Sequence, residues 1–511
     1  MPHPTGRRFT LLAKLTAAAA LIVAADRLLY EDALPGATLG AFALAWIAAL
    51  VAVRPDIRRS VAARIALAAA AGFAVALVDD PGPLAWTLFW AALASATLLP
   101  RRRFDDALAW AARLILHGLV GLTTPLRDAG RLAATRRGGG RARLRTVAAT
   151  LALPVIGGGV FVALFASANP LIGNAFAALR FPDLSTGIGH AVFAGAVLLA
   201  TWPSLRPART ATRFAPVAAS PLTPDVPLAT LTLSLLTFNA IFAVENALDL
   251  AFLWSGAPLP DGVTLADYAH RGAYPLIATA LLAGAFVLVA SRPGSAGAAS
   301  PLVRRLVVLW VAQNVLLVAS SIRRTLDYIA AYSLTELRIA ALAWMGLVAA
   351  GLVLIVWRML TARSARWLVN ANALAATLVL AAASATDLGA VAAAWNVRHA
   401  REAGDLDLCY LGRLGPSALL PLIELERRAS GPILRDRARY LREESFATLE
   451  SAQADWHRWT WRGARRLAAA RARLGGHPAT SGPAPYGRNC EGVPFPPPPA
   501  PPAPLTKAPR P

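Results

Sequence analysis

PLATLTLSLLTFNAIFAVENALDLAFLW, residues 227–254, holds no ionisable side chain before Glu245 and then places two acids within five positions. A helix rises about 1.5 Å per residue and a bilayer's hydrocarbon core is about 30 Å thick, so roughly 20 apolar residues cross it. At about 100° per residue, Asn239, Glu245, Asn246 and Asp249 fall within roughly a third of the helix circumference. A charged side chain at mid-bilayer costs on the order of 2.5–3.5 kcal/mol on insertion scales. Two acids on one face therefore turn inward to the bundle or to an aqueous cavity, or they protonate. The stretch reads as a membrane-spanning helix with a polar inner face.

The rest of the chain has the same character. Of its 511 residues 56% are hydrophobic and only 16% are charged, with a mean hydropathy of +0.50. A soluble chain of this length keeps a larger polar coat. About eleven spans of roughly 20 residues are expected, near 11–29, 36–53, 61–78, 82–99, 146–167, 185–204, 227–254, 272–291, 302–321, 339–359 and 366–386. The fold class is all-α, a polytopic integral membrane bundle. Segment 104–122, with Asp105, Asp106, Arg113 and His117, reads instead as an amphipathic helix on the membrane surface within a basic connection over 101–145.

The net charge of +22 does not point to nucleic acid, because the arginines lie in short connections. Arg54, Arg58 and Arg59, then Arg101 to Arg103, Arg206 to Arg213, Arg292 to Arg305 and Arg358 to Arg366 occupy alternate connections, whereas YEDALPG and DDPGP hold no cation. The positive-inside effect then sets a cytoplasmic N-terminus and an extracytoplasmic tail in a bacterial inner membrane. The start, GRRFTLLAKLTAAAALIVAA, is similar to a signal peptide, but its apolar run continues through Leu28 and Leu29 without a clean cleavage site.

Past Asp387 the composition changes. Residues 398–475 are charged and helix-forming. WHRWTWRGARRLAAARARL sets Trp456, Trp459 and Trp461 beside arginines, which suits either a headgroup-level helix or a soluble helix packing its rings on the tail. Residues 476–511 are Pro-rich and expected to be an extended or disordered end. Cys409 and Cys490 are the two cysteines. In an exported tail a disulfide is possible, but with one partner in such an end two unrelated thiols are expected.

No Gly-rich phosphate loop, paired CxxC, HExxH or nucleophile elbow is present, and the seven histidines lack metal-ligand spacing. No enzyme activity, cofactor or metal is expected. What remains is an ionic cluster on the outward side of the bundle. Asp267, Tyr268, His270 and Arg271 lie in the connection after residue 254, and Arg323, Arg324 and Asp327 lie where the span 302–321 ends. With Glu245, Asn246 and Asp249, the residues Asp267, His270, Arg271, Arg323, Arg324 and Asp327 form the candidate ligand-binding set. Gln313, Asn314, Asn370 and Asn372 could extend its polar contacts. The cluster either binds a polar or amphiphilic ligand, such as a lipid headgroup, or ties external loops together as a salt-bridge network.

LPDGVTLADYAHRGAYPLIATALL (259–282), RRTLDYIAAYSLTELRIAALAWM (323–345) and DLDLCYLGRLGPSALLPLI (405–423) together resemble the bacterial polytopic membrane family called domain of unknown function 4173, related to 4153. The resemblance covers roughly residues 230–425 and implies a many-spanning inner-membrane protein, with no catalytic residue or cofactor to transfer. The expected function is binding or moving a polar or amphiphilic ligand at an extracytoplasmic mouth. The alternatives are a structural or regulatory partner of envelope machinery, and a lipid-linked transferase with Asp267 or Glu245 as base.

Overall fold

The computed structural model describes residues 4–30, 35–128, 184–207, 227–255, 300–400, 406–476 and 478–497. The chain divides into two units, Met1–Ala219 and Ser220–Pro511. Among the described residues all regular structure is helical, and an isolated bridge joins Arg488 to Pro494.

The first unit contains α1 (Pro4–Leu29), α2 (Thr38–Val53), α3 (Pro55–Arg59), α4 (Val61–Asp79), α5 (Pro83–Leu98), α6 (Ala107–Gly121) and α7 (Leu184–Leu205). Helix starts follow local chemistry: Ser60 accepts a hydrogen bond from the Ala63 N–H, Asp106 accepts one from Ala109, and Pro83 occupies the first turn of α5. Alanine and glycine let the helices approach closely. A Cβ on Gly40 of α2 would lie 2.5 Å from the Val78 backbone nitrogen and 2.8 Å from the Ala74 carbonyl of α4. Leu21, Trp46, Leu50, Ala74, Phe89 and Leu205 form the core of this unit.

The second unit begins with α8 (Leu228–Asp249), which continues as a π-helical turn over Leu250–Trp254. Next come α9 (Pro301–Tyr332), α10 (Glu336–Leu360) and α11 (Ala365–Ala385). Leu235, Val307, Trp310, Val311, Leu352 and Ile355 are buried between them. The tail folds as α12 (Leu388–His399), α13 (Leu408–Arg413), a 3₁₀ turn (Gly415–Ala418), α14 (Leu419–Arg428), α15 (Pro432–Ala454) and α16 (Trp461–Leu474). Its own core contains Leu408, Leu411, Leu422 and Leu441. Asn396 ties α12 to the turn between α9 and α10: its Oδ1 accepts from the Leu334 N–H at 2.6 Å and its Nδ2 donates to the Leu334 carbonyl at 2.9 Å.

Among the described residues six helices are long and apolar enough to cross a membrane: Val61–Asp79, Thr186–Leu205, Leu228–Trp254, Pro301–Tyr332, Glu336–Leu360 and Ala365–Ala385. Thr38–Val53, Pro83–Leu98 and Ala107–Gly121 are apolar but shorter. The expected spans 146–167 and 272–291 lie outside the described residues. The surfaces of these helices are apolar: Ile65, Val192, Leu233, Ile241, Val244, Leu374 and Leu378 are all more than half exposed. Exposed aliphatic surface on this scale is unfavourable in water and neutral against acyl chains.

Three features differ from the sequence reading. α6 turns its charged face inward, with Arg113 and His117 buried while Leu108, Ile115 and Leu119 are exposed. The inversion is possible because Asp105 receives two Arg113 hydrogen bonds at 2.6 Å each, so the charge enters the protein already paired. α9 does not stop near residue 321 but continues to Tyr332, so Arg323, Arg324 and Asp327 stand on a helix. Finally, Cys409 and Cys490 form a disulfide rather than two separate thiols. Residues 478–497, read as part of an extended end, have irregular backbone but are fastened to α15. The Ser481 N–H and hydroxyl donate to Glu443 at 2.9 and 2.8 Å, the Gly482 N–H donates to Asp436 at 2.6 Å, and Arg488 donates to the other Asp436 oxygen at 2.6 Å.

Candidate functional site

The polar face of α8 meets α9 along a seam. Asn239 Nδ2 donates to the Leu306 carbonyl at 3.1 Å, and Asn239 Oδ1 accepts from Gln313 Nε2 at 3.0 Å. One helical repeat further on, Asn246 Nδ2 donates to the Gln313 carbonyl at 3.3 Å. Asp249 accepts from the Arg324 guanidinium, and Trp254 Nε1 donates to the Ser320 hydroxyl at 3.1 Å. Positions advancing along α8 meet positions advancing along α9, so the two helices run parallel. Parallel neighbours are what one intervening crossing would require.

Burial sharpens the picture. Asp249 is 2% exposed and Arg324 is 9% exposed. Arg324 reaches this depth because α9 is still helical there: Leu317, Ser320, Ser321 and Arg324 share one buried face. Glu245 stands at the edge of the α8 stripe, its side chain 49% exposed, with Oε1 3.9 Å from Arg324. The buried pair therefore has a more accessible carboxylate beside it. The π-helical turn starts immediately after Asp249, a local widening that recurs at functional positions in helices.

Two amide oxygens in the seam, Asn246 Oδ1 and Gln313 Oε1, are buried without a hydrogen-bond partner among the described residues. A buried unsatisfied acceptor costs on the order of 1–3 kcal/mol. The pair offers acceptors to a ligand that brings donors.

The structure thus brings together Glu245, Asn246, Asp249 and Arg324 of the candidate set. Arg323 and Asp327 instead pair with each other at 3.2 Å, one turn apart on a more exposed face of α9. Asp267, His270 and Arg271 lie outside the described residues. The sequence reading did not single out Trp254 and Ser320; an indole donor at the foot of the polar stripe was the available signal. Among the described residues no three His, Cys, Asp or Glu side chains converge as metal ligands would.

Apolar outward faces and polar side chains turned onto one another define an integral membrane protein with several helical spans. The chain belongs to the family described as domain of unknown function DUF4153, whose model matches residues 13–425. The resemblance in the sequence motifs was to a family related to this one, and the match extends well to the N-terminal side of those motifs. No curated protein and no solved structure matches the chain.

Proposed function

We propose that the α8–α9 seam binds a polar or amphiphilic ligand, and that the protein acts as a non-enzymatic binding or transport component. The observation that carries this reading is that two amide oxygens of the seam, Asn246 Oδ1 one helical turn before Asp249 and Gln313 Oε1, are buried without a hydrogen-bond partner among the described residues. A seam built only to hold two helices together gains by satisfying such groups internally. Glu245, half exposed beside Arg324, is placed to meet a donor arriving from outside the seam.

Mass spectrometry of molecules retained after purification in native lipid discs tests the reading. The wild type is expected to keep one class of small molecule, which the double variant Asn246→Ala/Gln313→Leu loses while its thermal midpoint holds or rises. Identical retained molecules in both proteins would reject it.

The membrane in this reading is a bacterial inner membrane, with the N-terminus cytoplasmic and the tail outside. The alternation of arginine-rich connections supports this orientation, and so does a disulfide in the tail, since such bonds persist in oxidising compartments. A periplasm-active reporter fused after Ala400 is expected to be active; activity of a cytoplasmic reporter there would reverse the assignment.

A further inference from the structure

Arg358 is a buried cation that no carboxylate meets among the described residues. It stands in the last turn of α10 and is 4% exposed, on the same buried face as Met345, Leu352 and Ile355, whereas Arg363 and Arg366 just beyond it are exposed. A guanidinium carries five N–H donors. Arg358 Nε donates to the Arg363 carbonyl at 3.3 Å. Nη1 is enclosed without a partner, and Nη2, at the more open edge, has none among the described residues either. Long cations near the end of a span ordinarily snorkel to water. This one turns inward, where a charge without a counter-ion is strongly unfavourable.

The distribution of acids along α8–α11 explains why no neighbour compensates it. Those helices hold Glu245, Asp249, Asp327 and Glu336. Glu245 and Asp249 approach Arg324, Asp327 pairs with Arg323, and Glu336 opens α10. All four therefore lie towards the end where α9 turns into α10. Arg358 is 22 residues along α10 from Glu336, about 33 Å at 1.5 Å per residue.

The turn into α11 fixes the guanidinium in place. Ala362 takes the left-handed conformation, with φ at 51°, and the Arg363 N–H donates to the Arg358 carbonyl at 3.1 Å, the closing bond of a helix C-terminal cap. This brings the Arg363 carbonyl back to Arg358 Nε. Ser364 then caps α11 by accepting from the Trp367 N–H at 3.2 Å, so the positive end of a 21-residue helix begins beside the same guanidinium. Phosphate suits such a place, because the arginine fork matches two of its oxygens and a helix N-terminus adds attraction. On the outer side of α10, Trp357 and Leu360 are 55% and 71% exposed, an apolar border with an indole near the helix end, as at headgroup level.

We propose that Arg358 and the α10–α11 turn bind the phosphate of an anionic lipid headgroup, with its acyl chains along the exposed apolar face of α10. Free phosphate has the same recognition chemistry; Trp357 and Leu360 are the reason for choosing the lipid. The site lies at the other end of these helices from Asp249 and Arg324 and shares no residue with the seam, so the two readings stand or fall separately.

Native mass spectrometry of the full chain tests this, after exchange into detergent holding equal phosphatidylglycerol and diacylglycerol with the same acyl chains. The wild type is expected to retain phosphatidylglycerol about tenfold over diacylglycerol, the scale of one charge-assisted contact. Arg358→Met, similar in length and uncharged, is expected to bring the two lipids to near-equal retention, while its thermal midpoint without lipid holds or rises. Arg358→Lys is expected to lower the excess about threefold, because an ammonium keeps the charge and loses the fork. Equal retention by the wild type, or an excess that survives Arg358→Met, overturns the proposal. Should Arg358→Met fail to fold, an excess undiminished in Arg358→Lys overturns it instead. Displacement of the lipid by millimolar inorganic phosphate, with phosphate alone raising the wild-type midpoint, also overturns it, in favour of a free-anion site.

Discussion

Asp249 and Arg324 are each too costly to leave alone in a low-dielectric interior, so their effects on stability are strongly coupled. Asp249→Ala removes the buried carboxylate from the guanidinium, leaving Glu245 at 3.9 Å on the exposed side, and is expected to destabilise the second unit by about 3 kcal/mol, whereas Asp249→Leu/Arg324→Leu is expected to cost much less. Thermal unfolding in detergent of the two variants, beside the wild type, checks the order. A second carboxylate, Asp436 in the tail, has its pKa held below the ordinary 3.8 by the Arg488 hydrogen bond and the Gly482 N–H, against an opposing contribution from burial. A depressed folded-state pKa stabilises fully above the ordinary value and loses that contribution as pH falls through the folded one. The 478–497 segment is therefore expected to stay fastened at neutral pH and to loosen well below pH 3.8. Asp436→Asn should loosen it at pH 7, read by hydrogen exchange of those residues. Helix periodicity put Asn239, Glu245, Asn246 and Asp249 on one inward face of α8; Asn239, Asn246 and Asp249 are buried, whereas Glu245, at the edge of the stripe, is half exposed. That Arg324 rather than its neighbour Arg323 would meet Asp249 was not visible. A rotation of about 100° per residue separates the two, and the choice depends on how far α9 stays helical and where α8 sits.

At the scale of the element, close approach of α2 and α4 depends on Gly40. Gly40→Val would drive a side chain into the Val78 backbone and the Ala74 carbonyl. It is expected to cost about 1–3 kcal/mol as overpacking, whereas Gly72→Ala on α4, with open space around it, is expected to be neutral or slightly stabilising through helix propensity. Melting curves of the two proteins give the comparison. Among the described residues most helix positions were legible from their apolar runs, although α9 continues past the stop read near residue 321. The inward turn of α6 was not, since an amphipathic pattern is satisfied equally by water outside or by a pairing partner inside. Asp105 supplied the partner. For α16 the tertiary contacts are divided: Leu467 and Ala470 pack under α14 and α15, while Trp456 and Trp461 are about half exposed. The aliphatic face, rather than Trp461, packs this helix on the tail.

On the scale of the whole molecule, the disulfide closes a loop of 81 residues around the tail helices. Cross-links closing long loops typically stabilise by about 2–4 kcal/mol. Cys490→Ser is expected to lower the tail's resistance to proteolysis and to free residues 478–497, with little change in the α8–α11 helices, as limited digestion with peptide mapping would show. Hydropathy determined the class of this protein by itself, because the cost of placing an apolar run or a carboxylate in a bilayer is a property of each local segment. The family-like motifs similarly needed no fold to be seen. Tertiary structure alone decided the pairings: Asp249 with Arg324, Asp105 with Arg113, and Cys409 with Cys490. These join residues from 8 to 81 positions apart, and sequence spacing carries almost no information about such contacts, because the approach of one helix to another is set by the packing of the whole bundle.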